Sequence, residues 1–277
     1  MTPDPRGSHW RRWAGVALLL PSMACASPEV APSSDLALLD MSTGIEATPA
    51  PDTREGFLAV LAPLPSDAVR VTYDVEGPGG LSGELEILLL AGGRRREAWV
   101  LELPLRDGAT HRIESSAVQT EDYAWVGSGG DLEIERSPLG ALADAYLGLP
   151  QSERRVIVDS LDSFRSRIAS ARKSVAAPDR EILGVPCLST RLAAQDLCVW
   201  EETGLPLDYR GNAFSLRARE VVMDAPIPPD AFLVSAEVKR EAPGPDLDPH
   251  ESLRRLARQD YAELGPLLHP GLRLPLG

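Results

Sequence analysis

The sequence predicts an α+β fold in which an antiparallel β-sheet packs with amphipathic helices. Two observations predict this class. Over residues 69–136, short runs alternate between apolar and polar side chains and are separated by Gly-rich turns. Over residues 137–175, the apolar side chains instead recur every three or four positions. Alternation with a period of two indicates strands that bury one face, and the longer period indicates helices that bury one stripe.

A short helix and six strands are expected in the first part of the domain. The segment EGFLAVLAPL is typical of a short helix that ends at Pro63. Residues 69–76 then alternate as a half-buried strand, and GPGG turns the chain. Short strands joined by short turns indicate an antiparallel meander that is apolar on one face. The further strands are predicted over residues 85–89, 99–103, 110–115, 118–126 and 131–136.

Two amphipathic helices are expected within residues 138–175. Ser137-Pro138 is a favourable N-cap and first-turn pair, and the helix that it opens ends at Gly148. A single apolar stripe must be buried, and we expect the stripe of the second helix, over residues 151–174, to pack on the apolar face of the sheet. The stripe is either packed there permanently or moves aside to admit a lipid chain. Its members are Ile157, Leu161, Phe164, Ile168, Ala171 and Val175.

Residues 182–211 predict a hairpin with a cross-strand disulfide, followed by a further strand. Cys187 and Cys198 lie in two apolar runs joined through residues 191–194. Such a bridge would stabilise the fold by about 2 to 3 kcal/mol. The alternative is two free cysteines that act as small buried hydrophobic residues. Counting inward from the two cysteines gives the facing pairs Leu188 with Leu197 and Thr190 with Gln195.

The same region resembles a known superfamily. The segments GVPC, VWEETGLPLDYRG and AREVVMDAPIPPDAF, within residues 184–232, are similar to the C-terminal signature of the LolA/LolB/LppX-like lipoprotein-carrier superfamily of bacterial envelope proteins. The resemblance extends over residues 69–234. It implies a strongly curved antiparallel sheet, a half-barrel, packed around helices and enclosing a hydrophobic cavity for acyl chains. The matching positions are structural, so the resemblance assigns no functional residue.

Residues 1–26 are predicted to be a signal peptide. A basic beginning with Arg11 and Arg12 is followed by a short apolar run over residues 14–20, which is far too short to span a bilayer. Ser22-Met23-Ala24-Cys25 resembles a lipobox, which would leave Cys25 as the lipidated first residue. Ala24-Cys25-Ala26 is also an ordinary signal-peptidase site, and an uncleaved anchor is a third alternative.

Both cleavages favour the same pairing of cysteines. The chain has three, and only Cys187 and Cys198 are left to pair once Cys25 is acylated or removed. Residues 27–53 are rich in Pro, Ala and Ser and predict a disordered tether. We therefore expect an exported protein of a Gram-negative bacterium, either periplasmic or anchored to the outer membrane as a lipoprotein.

Composition limits the partners. The formal net charge of −13 gives no electrostatic footprint for nucleic acid or for anionic membrane surfaces. Contact with a membrane is therefore expected only through a lipid anchor. The domain, residues 54–240 with a helical insert at 138–175, is followed over residues 241–277 by a linker and a C-terminal helix that Asp248 and Glu251 open as a capping box.

No catalytic, metal or cofactor site is predicted. His111, His250 and His269 have no metal-ligand spacing with another His or Cys. Residues 127–131, GSGGD, lack the ending of a phosphate loop and the spacing of a nucleophile turn, so they predict a hairpin turn.

Paired carboxylates give no site for acid–base chemistry either. Glu84 and Glu86 lie on a solvated strand face, and Glu201 and Glu202 lie at a strand end, without an apolar pocket that would raise a pKa. We therefore predict that the protein is not an enzyme.

Aromatic side chains are the best candidates for a ligand site. They would line the cavity or its mouth, since aromatic and apolar side chains dominate most small-molecule pockets. The candidates are Trp99, Tyr123, Trp125, Phe164 and Trp200.

Two functions are compatible with the sequence. In the first, a non-enzymatic envelope protein binds a lipid, a lipoprotein acyl chain or another hydrophobic ligand in its half-barrel. In the second, an anchored structural or regulatory module fills the cavity with its own side chains and acts through contacts with an envelope protein partner.

Overall fold

The structure is a computed structural model that describes residues 49–128, 131–175, 179–192, 195–233, 240–241 and 247–261. The predicted signal peptide, Cys25 and most of the predicted tether lie outside the described residues. Positions Ile168, Ala171 and Val175 of the predicted stripe lie outside the described side chains.

Twelve strands form one sheet in the described part of the chain. In chain order they are β1 (Ala68–Glu76), β2 (Ser82–Leu90), β3 (Arg94–Pro104), β4 (Thr110–Gln119), β5 (Tyr123–Ser128), β6 (Asp131–Arg136), β7 (Arg180–Ile182), β8 (Val185–Leu192), β9 (Gln195–Trp200), β10 (Leu205–Arg210), β11 (Ser215–Met223) and β12 (Arg240–Glu241).

The sheet is open and, apart from one short edge, antiparallel. Its strands follow the order β12-β6-β5-β4-β3-β2-β1-β11-β10-β9-β8-β7, so that β12 and β7 are the two edges. Only the two-residue β12 runs parallel to its neighbour, β6. The predicted class, α+β with a curved antiparallel sheet that does not close, is confirmed.

The clearest differences from the predicted strands are the boundary between β4 and β5 and the short edge strand β7. Val118 does not begin a strand but belongs to β4, where it pairs with Trp125 of β5. The chain turns just after β4 because the Thr120 hydroxyl oxygen accepts hydrogen bonds from the backbone N–H groups of Asp122 (3.3 Å) and Tyr123 (3.0 Å). The edge strand β7 was not predicted, since three residues are too short to show a period.

The predicted disulfide is present, but the predicted register of its hairpin is wrong. Cys187 and Cys198 are bonded, with their Cα atoms 5.4 Å apart. Cys198 lies opposite Ser189, however, and not opposite Cys187. β8 correspondingly extends further than predicted, to Leu192, and β9 begins at Gln195. The disulfide therefore crosses the strand pair diagonally.

Within the described residues, four α-helices accompany the sheet: α1 (Arg54–Leu61), α2 (Pro138–Leu147), α3 (Gln151–Val175) and α4 (Pro249–Ala257). The predicted N-caps are confirmed at two of them. The Ser137 hydroxyl accepts the Leu139 N–H at 3.4 Å, and the Asp248 carboxylate accepts the N–H groups of His250 and Glu251 at 2.9 and 3.2 Å. Each cap satisfies backbone donors that the first helical turn leaves without partners.

The helices bury their apolar stripes against one another. Phe57 of α1 stacks on Tyr146 of α2 with ring centroids 3.9 Å apart. The buried α3 residues Ile157 and Leu161 lie in the same cluster, which includes residues of α1, α2 and α4 and no residue of a strand among those described. For these two residues, the prediction that the sheet is their partner is wrong.

The sheet has its own main cluster of buried side chains. The face of β1, β2 and β3 that carries this cluster is called the inner face. Alternation places Val71, Tyr73, Ile87 and Trp99 there, and the cluster continues through β8, β9, β10 and β11. On the opposite, outer face, a smaller cluster around Leu88 is covered by the segment after β11. Both faces are thus buried along β1 and β2.

The turn between β7 and β8 contains a leucine in an unfavourable conformation, and its replacement by asparagine is expected to stabilise the protein. Leu183 has φ 56° and Gly184 has φ 78°, a two-residue turn in which Asn-Gly is strongly preferred. Because the Leu183 side chain is 52% exposed, little packing is lost. Leu183→Asn should raise the free energy of unfolding by about 0.5 to 1 kcal/mol in urea denaturation.

Gly184→Ala provides the control for this prediction, because alanine at positive φ is strained and should lower the same free energy. An unchanged urea midpoint for Leu183→Asn would contradict the assignment of the turn.

Candidate functional site

The inner face carries the candidate site because it combines a large apolar surface with a few buried polar groups. Its apolar part is formed by rows of side chains that run across neighbouring strands. One such row consists of Tyr73, Leu85, Trp99 and Ser115 on β1, β2, β3 and β4. The next row consists of Val71, Ile87, Glu97 and Ala117. A carboxylate therefore lies between apolar neighbours.

Glu97 and Arg95 form a buried ion pair on this face. One Arg95 guanidinium nitrogen lies 2.6 Å from the Glu97 carboxylate, and the two side chains are only 13% and 3% exposed. The Trp99 indole N–H donates to the other carboxylate oxygen at 3.4 Å. Removing charges from water is unfavourable, so a pair at this depth is retained only where close partners compensate. Glu97 accordingly has two donors from its own strand.

Tyr73 contributes a second buried polar group. The side chain is completely buried, and its hydroxyl has no hydrogen-bond partner among the residues that the structure describes. Burial raises the pKa of this hydroxyl above its ordinary value, while the nearby Arg95 charge opposes the rise and the Glu97 charge adds to it. The phenol therefore stays protonated, and it is a buried donor that a polar group could satisfy.

The five predicted cavity residues do not come together. Trp99 and Trp200 both lie in the inner-face cluster, where they pack against other core side chains. Tyr123 and Trp125 lie on β5, on the outer face. Tyr123 is exposed and Trp125 is half-buried. Phe164 of α3 stacks on Tyr261 with ring centroids 4.2 Å apart. A ligand-lining role for these side chains stays a prediction.

The sequence reasoning missed Arg95, Glu97 and Tyr73 as members of a polar group. The available signal was the alternation along β3, because Trp99 was predicted to be buried and residues two positions apart share a face. Extended toward the start of the strand, that pattern places Glu97 and Arg95 on the inner face.

Potential metal ligands and long apolar helices can be assessed over the described residues. No three side chains of His, Cys, Asp or Glu are grouped as metal ligands within residues 49–128, 131–175, 179–192, 195–233, 240–241 and 247–261. Over the same ranges, none of the helices combines the length and the apolar character that crossing a bilayer requires.

Comparison with known proteins gives little further information. No protein-family model matches the chain, and no curated protein matches it. Among solved structures, the crystal structure of MucB matches with 16% sequence identity and a TM-score of 0.25, over 66% of this chain. The matched part spans 62% of the MucB chain. A superposition as loose as this supports no conclusion about function.

Proposed function

We propose that this chain is a non-enzymatic protein of the cell envelope that holds a lipid, an acyl chain or another hydrophobic ligand against the inner face. The observation that carries the proposal is the composition of the inner-face cluster. Its buried members all come from the strands and the loops next to them, whereas the described buried residues of the helices cluster separately. The resemblance of residues 69–234 to lipoprotein carriers agrees with this reading.

An open sheet suits such a ligand physically. An open sheet has no closed ring of hydrogen bonds that must break before its apolar face is exposed. An acyl chain could therefore enter beside the rows of Val, Leu and Ile side chains. The driving force would be apolar burial, about 0.8 kcal/mol for each methylene group. Affinity should therefore rise with chain length by about fourfold for each added methylene until the face is filled.

The polar groups on the inner face would orient the ligand. The Arg95–Glu97 pair is internally neutralised, so the face offers no net charge for a strongly ionic headgroup. The Tyr73 hydroxyl can donate to an ester, amide or carboxyl oxygen at the end of an acyl chain. Such a bond would satisfy a buried hydroxyl for which the described part of the chain supplies no partner.

The test is direct binding of acyl probes to the intact, oxidised protein. A series of fluorescent fatty acids of increasing length would be titrated, and the lipids that co-purify with the native protein would be extracted for mass spectrometry. Leu101→Trp would fill the inner face, and Leu88→Trp is the matched control, because both leucines are buried and only the first faces inward.

We expect Leu101→Trp to weaken binding at least about tenfold and Leu88→Trp to leave it within about twofold, both proteins remaining folded. Tyr73→Phe should weaken binding of a probe that carries an acyl carbonyl but not of an alkane probe. A folded wild-type protein that binds no probe at micromolar concentration would contradict the proposal.

The second candidate function is a module that acts through protein contacts, with the inner face filled by its own side chains. The close packing of that face favours it, since residues such as Val71, Ile87 and Leu216 are completely buried. In that case, cross-linking in cells should recover a defined envelope partner. The partner should be lost when residues 248–265 are deleted if the C-terminal helix takes part.

The packing of α4 makes this deletion a demanding experiment. Leu253 and Leu256 are buried among the other helices, and the Ser160 hydroxyl of α3 donates to the Leu256 carbonyl at 2.5 Å. Substitutions on the exposed side of α4, such as Arg254→Glu, therefore separate loss of a contact from loss of folding.

A further inference from the structure

A cleft near the β7 edge of the sheet is lined mainly by charged residues. It has a volume of about 590 Å³ and lies where β7, β8, β9 and β10 meet. Arginines come from three of these strands: Arg180 of β7, Arg191 of β8 and Arg210 of β10. Two aspartates complete the charged lining, and a buried leucine, Leu197, forms part of its wall.

The charged residues of the cleft form two neighbouring groups of ion pairs. Asp208 lies between two arginines, with carboxylate–nitrogen distances of 3.1 Å to Arg180 and 3.7 Å to Arg210. Asp196 accepts a hydrogen bond from Arg191 at 2.7 Å. This hydrogen bond and the nearby charges of Arg191 and Arg210 keep the pKa of Asp196 below its ordinary value. The Asp196 carboxylate is therefore ionised at neutral pH and holds Arg191 in place.

The arginines nevertheless retain donors that face solvent. Arg191 and Arg210 are 76% and 73% exposed, and each guanidinium has five N–H donors in a fixed plane. In the contacts described, Arg191 uses only its Nε–H group, on Asp196. Three guanidinium groups and two carboxylates line the cleft, and the Asp179 carboxylate lies beside its Ser189. The site therefore depends on the exposed guanidinium donors rather than on an excess of positive charge.

The framework around the cleft is rigid. The Cys187–Cys198 disulfide joins β8 to β9 beside it, and the Ser189 hydroxyl, also in the lining, lies 3.8 Å from the Cys198 sulfur. The backbone N–H of Ser189 donates to Asp179 at 2.8 Å, which ties the residue before β7 to β8. Arginines mounted on cross-linked strands lose less freedom when they bind an anion.

We propose that this cleft is a binding site for a phosphate group. A phosphate presents oxygens in several directions, so it can accept from Arg191, Arg210 and Arg180 together, and guanidinium–phosphate hydrogen bonds are among the strongest that side chains form. The group could belong to a free phosphate compound or to a phospholipid headgroup. The site goes beyond the proposed function, since it uses no residue of the polar group around Tyr73.

The experiment compares phosphate binding by the oxidised full chain and by charge-matched variants. Titration with inorganic phosphate at low ionic strength would be followed by calorimetry and by NMR of the arginine side chains. The test variant is Arg191→Gln with Arg210→Gln, and the control carries Arg106→Gln with Arg112→Gln, two exposed arginines near the connection between β3 and β4 and outside the cleft. Sedimentation with phosphatidylglycerol vesicles, against phosphatidylcholine alone, distinguishes a lipid source from a free one.

We expect the wild-type protein to bind phosphate and the cleft variant to bind it at least about tenfold more weakly, with the control within about twofold. Binding to phosphatidylglycerol vesicles that the cleft variant loses would also support the site and would identify its source as a headgroup. The absence of both kinds of binding, or binding that the cleft variant retains, would overturn the proposal and leave a solvated network of ion pairs.

Discussion

Replacing Arg95 by methionine is expected to lower the free energy of unfolding by about 3 kcal/mol, because it leaves the Glu97 carboxylate buried without its nearest charge partner. The pair is 2.6 Å long, and Glu97 is almost completely covered. Methionine keeps most of the aliphatic volume of arginine, so the loss reports on the charge more than on the packing. Urea denaturation followed by circular dichroism measures the change.

The neighbouring residue of the same strand provides the control. Arg96 points to the outer face and pairs with Glu86 at 2.8 Å, a contact of similar length but much greater exposure. Water and salt screen such a pair, so Arg96→Met should change the free energy of unfolding by less than about 1 kcal/mol. Equal effects at the two positions would contradict the burial of the Arg95–Glu97 pair.

A double-mutant cycle isolates the interaction. Because Arg95 and Glu97 both have contacts beyond this pair, neither single substitution measures it alone. Arg95→Met combined with Glu97→Gln should be less destabilised than the sum of the single changes, by about 1 to 3 kcal/mol. Additive effects would show that the two charges do not depend on each other.

The alternation of side chains predicted most of the sheet but could not predict its buried charges. Val71, Tyr73 and Trp99 are buried as their positions in alternating runs predicted. Glu97 follows the same alternation, yet a carboxylate in a strand is ordinarily solvated, and nothing local distinguishes this one. Its burial depends on the curvature of the sheet and on what covers the inner face, which are properties of the whole fold.

A periodic stripe predicts that a helix is buried but not what covers it. Ile157 and Leu161 are buried as predicted, but beside α1, α2 and α4 rather than on the sheet. The stripe of α4, with Leu253 and Leu256, lies almost a hundred residues further along the chain. Two stripes of this kind fit each other as well as either fits a sheet, so the choice is made by chain connections that a local pattern does not contain.

Reduction of the Cys187–Cys198 disulfide is the second change for which we expect a large effect on stability. Reduction should lower the free energy of unfolding by about 2 to 3 kcal/mol, because the bridge closes a short loop and restricts the unfolded chain. The measurement is the urea midpoint with and without a reductant, combined with intact-protein mass to confirm the redox state. Both cysteines are fully buried, so reduction should require partial opening and proceed slowly under native conditions.

The variant that lacks both thiols separates the bond from the packing. The double variant Cys187→Ala with Cys198→Ala should have a free energy of unfolding that is lower by a similar amount, with a further decrease from the cavity that the sulfurs leave. Its urea midpoint should no longer respond to a reductant. Cys25→Ser is the control and should retain the full response. An identical urea midpoint for oxidised and reduced wild-type protein would contradict a stabilising bridge.

The diagonal geometry gives the bond a second expected role, in choosing the register of the hairpin. A slip of two residues between β8 and β9 would place Cys187 directly opposite Cys198 while keeping every side chain on its own face, so the hydrophobic pattern alone does not forbid it. In the observed register, Arg191 lies opposite Asp196, and the two form the ion pair of the cleft. The slip would separate them.

When the disulfide is removed, amide hydrogen exchange should show that the β8–β9 hairpin loosens first, and phosphate binding should weaken as well. Unchanged exchange protection in that hairpin would show that the disulfide does not determine the register.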